Sequence, residues 1–157
     1  MGAGRAQDRA AEGLSHMFSA LQNLIEVCEN RHLPLHEVIL QAEIASSGRS
    51  REAILTDMLR RLQTMRTSVE KGLAAPVTTL SGLSRGNAYK FWKNLNRTPG
   101  PMTGSWLSRA IARAMAVGEV NAGMGCIVAT PTAGSAGVLP AVLFTLPEAP
   151  QLSDEEL

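Results

Sequence analysis

The stretch Ser50 to Gly72, SREAILTDMLRRLQTMRTSVEKG, sets the fold class of this 157-residue chain. Its apolar residues Ile54, Met58, Leu62, Met65 and Val69 recur every three or four positions, which is the period of one buried helix face. Ser50 offers an N-cap oxygen and Gly72 a stop, so a helix is expected to run to Lys71. Arg60, Arg61 and Arg66 fall on the opposite face and read as solvated surface.

Working outward, the same period appears on both sides. From Leu14 to Arg31, Met17, Leu21, Leu24, Ile25 and Cys28 trace one helix face. Pro34 suits a first helical turn, and a second helix through Glu37, Val38, Ile39 and Ala42 is expected to end at Ser46, Ser47 and Gly48. Residues 73–86 lack periodicity and are rich in turn formers, hence a loop. In NAYKFWKNLN, Ala88, Phe91, Trp92 and Leu95 share a face, and Arg97, Pro99, Gly100 and Pro101 close it. Thr103 or Ser105 then caps a helix whose inward stripe is Leu107, Ala110, Ile111, Ala114 and Met115, before Gly118. A mostly α multi-helix domain follows, with the Gly/Ala-rich loop PTAGSAG (residues 131–137) between helices.

Composition narrows the class. The chain is 45% hydrophobic, 18% charged and only 4% aromatic, so one modest globular core must be built from aliphatic residues and Met. No apolar run approaches the roughly 18 residues of a membrane span, and the polar start MGAGRAQDRAAEG lacks a signal core. A soluble cytoplasmic protein is expected. Charge is uneven: all 15 Lys and Arg lie between Arg5 and Arg113, a balance of +6 there, whereas residues 114–157 carry five acids and no base. Between Gly118 and Leu146 the only charge is Glu119, in a small neutral segment suited to close packing.

Few residues point to chemistry by themselves. KFWKN sets aromatics beside bases, but a net charge of +1 is too small for a nucleic-acid binder and both aromatics fall on the apolar helix face. His32 and His36 have the spacing of a helical metal pair, yet Pro34 separates them and no HExxH-type cluster accompanies them; His16 has no identifiable partner. Cys28 and Cys126 stand far apart without CxxC spacing, which argues against a disulfide framework or a zinc site and suggests two buried thiols. EVNAGMGCIVATPTAGSAGVLP, residues 119–140, holds no GxSxG elbow, P-loop or GxGxxG fingerprint. What remains is the turn Pro131 to Gly137, whose glycines let backbone N–H groups approach an anion at a helix N-terminus with help from Thr and Ser hydroxyls. A tight packing turn of Gly and Ala is the competing reading.

That segment, continued as NAGMGCIVATPTAGSAGVLPAVL, resembles the PTAGSAG-type stretch in the alpha chain of bacterial iron-sulfur-dependent L-serine dehydratase (L-serine ammonia-lyase). GPMTGSWLSRAIARAMAVGEVNAGMG is similar to the preceding helix of that family, and KGLAAPVTTLSGLSRGNAYKFWK to its earlier loop and helix. The resemblance is specific from about residue 71 to 146 and permissive before that. It divides the chain into a polar N-terminus (1–13), a helical region (14–72), the N-terminal part of the catalytic domain (73–146) and an acidic tail or helix start (147–157).

The resemblance implies a lyase of amino-acid catabolism and gluconeogenesis that deaminates L-serine to pyruvate and ammonia without pyridoxal phosphate. It implies a 4Fe-4S cluster whose open iron acts as a Lewis acid on the substrate hydroxyl while a base removes the α-proton. Thr132, Gly134, Ser135 and Gly137 would lie at the substrate pocket; no catalytic base is identified. The family holds its cluster with three cysteines in the later half of the alpha chain, and Cys28 and Cys126 occupy neither context. No cofactor or metal ligand is therefore assigned to this chain. Ser153 before Asp154, Glu155 and Glu156 reads as a helix start, so the sequence is expected to be the N-terminal part of an alpha chain. Its expected partners are the cysteine-bearing remainder and a beta chain or domain, in a homo- or hetero-oligomer, with no nucleic acid and no membrane. The alternative is a non-enzymatic helical interaction module, or inactive remnant, that binds a partner or small carboxylates. A neighbouring reading frame with the three-cysteine half favours the first, and its absence the second.

Overall fold

The computed structural model describes residues 21–95 and 104–146. Within them lie six helices: α1 Leu21–Arg31, α2 Leu35–Ser47, α3 Arg51–Ala74, α4 Asn87–Leu95, α5 Gly104–Ala122 and α6 Ser135–Leu143. The only extended pairing among the described residues is a single antiparallel bridge between Thr78 and Arg85, so the mostly α expectation holds. None of these helices is long and apolar enough to cross a membrane. The expectations for residues 1–20, for the close at Arg97 to Pro101, for a Thr103 cap and for the tail 147–157 lie outside the described residues.

Contacts divide the chain into two units, residues 1–57 and 58–157, with the boundary inside α3. In the first unit α1 packs on α2. Pro34 has the extended backbone of a cap, and Gly48 closes α2 in the left-handed region at φ 67°, its N–H bonded to the Ile44 carbonyl. Ser50 caps α3 as expected, its hydroxyl accepting from the Ala53 N–H at 3.2 Å. Arg51 donates to both Glu37 oxygens at 2.9 Å, and with the Gln41 amide this holds the Glu37 carboxyl below the usual carboxylate range. The α1 stripe departs from its reading: no α1 residue is buried, and Leu21 and Ile25 are exposed, because α2 supplies a small apolar surface against only part of it.

The second unit is built on α5, which packs against both α4 and α6. Leu62, Met65 and Val69 of α3 are buried as the spacing demands, but Met58, at its start, is exposed. Gly72 does not stop α3, which runs on to Ala74. A Cβ at Gly72 would come 2.6 Å from the Ala116 Cβ, so this glycine permits helix to approach helix. The α5 stripe is only partly as read: Ala110 is buried and Ala114 half-buried, but the three large members are not. Its buried face is Ser108, Ala110, Ala112, Ala116, Val117, Glu119 and Val120, while Leu107, Ile111 and Met115 point outward. Close crossing by small residues, not side-chain size, chooses the inward face. Ser105 lies inside the first turn of α5 and is not its cap, and the helix continues through Gly118.

One buried carboxylate joins these parts. Glu119, 6% exposed, accepts hydrogen bonds from the Ser84 hydroxyl, from the Asn87 N–H at 2.7 Å and from the Ala88 N–H at 3.3 Å. It thereby caps α4, where free N–H groups and the helix dipole favour negative charge. The loop between α3 and α4 is closed by Thr79 and Gly86 N–H groups bonded to the Ser84 and Val77 carbonyls, and the Leu80 N–H reaches the Ala122 carbonyl at the end of α5. Gly86 has φ 72° and a Cβ there would strike Pro76 at 2.4 Å. Past Ala122, the Gly125 N–H bonds the Val120 carbonyl and the Met124 N–H bonds that of Asn121, a Schellman closure with Met124 at φ 63° where glycine is usual.

Glu119→Ala is expected to lower the free energy of unfolding by about 3 kcal/mol, and Glu119→Gln by roughly half as much, since Gln keeps one acceptor but sets an amine against the Ala88 N–H. Denaturant titration followed by circular dichroism measures both; a loss under about 0.5 kcal/mol for the alanine variant contradicts the capping role. Met124→Gly is expected to raise stability by about 1 kcal/mol by relieving the left-handed backbone, read as a shift of the same midpoint.

Candidate functional site

Residues 125–134 form irregular chain between α5 and α6, and the PTAG turn at 131–134 is exposed. Three hydroxyls converge there. Ser135 Oγ lies 2.6 Å from Thr130 Oγ1 and 2.9 Å from Thr132 Oγ1, and it is 2.7 Å from the Thr132 carbonyl, to which it donates. The Ser135 N–H donates to Thr132 Oγ1 and the Thr132 N–H donates to Ser135 Oγ, each at 3.2 Å. This reciprocal pair is a capping box with serine at the third position, and it starts the helical turn that becomes α6. The T-x-x-S spacing before an apolar run was the available signal for it, and Thr130 is a member that the spacing alone does not reveal.

Thr132, Gly134 and Ser135 are thus brought together on one exposed turn. Gly134 has ordinary helical backbone, φ −68° and ψ −37°, and a Cβ there would meet nothing within 4 Å. Neither strain nor crowding requires this glycine; the space before it is open. Gly137 sits one turn further on and faces α5, where a Cβ would come 3.2 Å from the Ala114 carbonyl oxygen. Among the described residues, the N–H groups of Ala133, Gly134 and Ala136 donate no hydrogen bond. They point from the positive end of α6, the arrangement that favours a bound carboxylate or phosphate. The turn carries no titratable side chain, so it can hold and orient an anion but cannot move a proton.

The other sequence candidates stand apart from this turn. His32 lies between α1 and α2 with φ 52°, and His36 sits in the first turn of α2. Cys126 is exposed and Cys28 half-buried, both free thiols, so the expectation of two buried thiols is corrected: Cys126 falls on irregular chain just past the α5 closure, where no helix covers it. Among the described residues no three His, Cys, Asp or Glu side chains gather as metal ligands. Phe91 and Trp92 are half-buried, and the Trp92 ring lies under the Arg113 guanidinium at 5.2 Å.

Residues 30–157 match the family described as serine dehydratase alpha chain. The chain is 37% identical over 132 residues to the probable L-serine dehydratase alpha chain of Bacillus subtilis (strain 168), a stretch covering 84% of this chain and 43% of that protein. It is 33% identical over 132 residues to the L-serine dehydratase alpha chain of Peptoniphilus asaccharolyticus, covering 84% and 45%. It is 30% identical over 152 residues to the L-serine dehydratase of Haemophilus influenzae, covering 89% and 32%. The chain therefore spans less than half the length of these relatives. No solved structure matches it significantly. With most of its length matched by that family, and with two alpha chains above 30% identity aligned along 84% of it, this chain belongs to the serine dehydratase alpha chain family.

Proposed function

We propose that this chain is the N-terminal segment of an iron-sulfur L-serine dehydratase alpha chain, and that its Thr132 to Ser135 turn binds the substrate carboxylate. The observation that carries this reading is the set of undonated N–H groups at Ala133, Gly134 and Ala136, with open space at the Cβ position of Gly134. In this reading the hydroxyls of Thr130, Thr132 and Ser135 hold the turn in shape, the N–H groups take the carboxylate, and Ser135 adds a hydroxyl that can turn toward the ligand. Gly137 contributes by letting α6 lie close on α5, which fixes the turn. Residues 123–146 hold no Asp, Glu, His, Lys or Arg, so no carboxylate or imidazole base comes from this stretch.

The cluster does not fit the donors of this chain. A 4Fe-4S centre with one open iron needs three thiolates, and the chain has two cysteines, Cys28 and Cys126, which belong to different units. We assign its ligands to the cysteine-bearing remainder of the alpha chain, with a beta chain or domain completing a cytoplasmic oligomer. Leu107, Ile111 and Met115 on α5, with Val138 and Val142 on α6, give that remainder an apolar surface to cover.

Co-expression with a cysteine-bearing half is the test. The complex is expected to be brown and to deaminate L-serine, and the chain alone to be colourless and inactive. In the complex, Ser135→Ala is expected to reduce turnover roughly 10- to 100-fold, the worth of one hydrogen bond to a charged group. Gly134→Val is expected to abolish turnover while leaving most of the protein folded, because a Cβ there has open space and the backbone is in the ordinary helical region. Unchanged turnover per folded complex in both variants rules out the turn as the carboxylate site. Purified alone, the chain is also expected to self-associate and to enhance the fluorescence of an apolar dye; a dye-silent monomer would show that the α5 and α6 surface needs no cover.

A further inference from the structure

The second unit contains a cavity of about 540 Å³, and none of the residues of the PTAG turn's hydroxyl cluster lines it. Its walls include Arg66, Glu70, Leu73, Trp92, Arg113 and Phe144. Arg113 is half-buried there and tightly placed. Its Nη1 donates to the Thr145 hydroxyl at 2.7 Å, and its guanidinium lies over the Trp92 ring at 5.2 Å. Among the described residues no carboxylate lies within ion-pair distance of it. Burial, with the like charge of Arg109 nearby, pulls its ionisation below the usual arginine range. A half-buried charge with no carboxylate partner among the described residues can take one from a ligand.

The rest of the wall narrows what the counter-ion can be. Arg66 stands over the Phe144 ring at 4.8 Å and adds a second positive charge, while Glu70 returns one negative charge to the same wall. Leu73, Trp92 and Phe144 offer apolar surface to the body of a small molecule. The planar fork of an arginine, already oriented by Trp92 and Thr145, matches a carboxylate in two parallel hydrogen bonds. We infer that this cavity is a second binding site, for a small monocarboxylate with an aliphatic or aromatic body, and that Arg113 is its anchor. The inference does not rest on the dehydratase reading, because L-serine has no apolar body to fill the cavity.

The test uses the whole chain carrying Trp106→Phe, so that Trp92 is its only tryptophan, titrated with 3-methylbutanoate and with benzoate. A saturable change in Trp92 emission in the millimolar range is expected for both. The corresponding neutral amides are expected to bind at least about tenfold more weakly, and L-serine and inorganic phosphate not to compete. Arg113→Gln is expected to weaken carboxylate binding about tenfold or more, Arg113→Lys less, and Arg109→Gln by no more than about twofold, with unchanged circular dichroism. If Arg113→Gln fails to fold, the comparison of acid with amide on the parent chain still decides. No saturable change, equal binding of the amides, or phosphate binding as well as the acids overturns the inference.

Discussion

A carboxylate taken out of water is tolerated only where donors replace its hydration, and Glu119 meets that condition in one place. Its donors are the Ser84 hydroxyl and two N–H groups at the start of α4. Because Glu119 belongs to α5, satisfying it fixes α4 against α5 and fixes the loop that carries Ser84 at the same time. The Leu80 N–H, bonded to the Ala122 carbonyl, ties that loop to the end of α5, and Gly123 lies close to Val77 of the same loop. The chain leaves α5 from this anchored end toward the PTAG turn. The position of the turn therefore depends on a charge that never touches it.

Helix period was legible in α3 and α4, where Ile54 to Val69 and Ala88 to Leu95 needed only the spacing of apolar residues, but not in α6, whose first residues were read as loop. Helix phase was not. In α5 the sequence holds two competing faces, one of Leu107, Ile111 and Met115 and one of Ala112, Ala116, Val117 and Val120. Hydrophobicity favours the first, but the close approach of Gly72 to Ala116 turns the second inward. Size is a poor guide to burial where helices cross on glycine and alanine. Glu119 was visible as a lone charge in a neutral run, yet nothing local tells a solvated glutamate from a buried cap. Its donors lie more than thirty residues away in sequence.

Of the candidate site, the turn was legible and its internal division of labour was not. Four residues were read from the motif as one set, and the structure separates them by what surrounds each. Gly137 is needed for helix packing, whereas Gly134 has room for a side chain and none of the backbone strain that would demand glycine. A packing turn accounts for the first glycine but gives no reason for the second. The proposed carboxylate site does give one, because a side chain at Gly134 would obstruct an anion's approach to the backbone.

The hydroxyls add the last step. A turn that must keep N–H groups undonated loses hydrogen bonds that an ordinary helix start would make, and so needs other bonds to define its shape. Thr130, Thr132 and Ser135 supply them from their side chains and from the backbone of Thr132 and Ser135, leaving the N–H groups of Ala133, Gly134 and Ala136 undonated. Such a turn is organised before any ligand arrives, so little conformational entropy remains to be lost on binding. It also bears no formal charge, and any attraction for an anion comes from dipoles that act only at short range. The half-buried Arg113 works in the opposite way, with a full charge whose direction is fixed by Trp92 and Thr145. One fold thus carries an uncharged turn with undonated N–H groups at the start of α6 and an oriented cation on α5, and any attraction of either for an anion would rest on different physics.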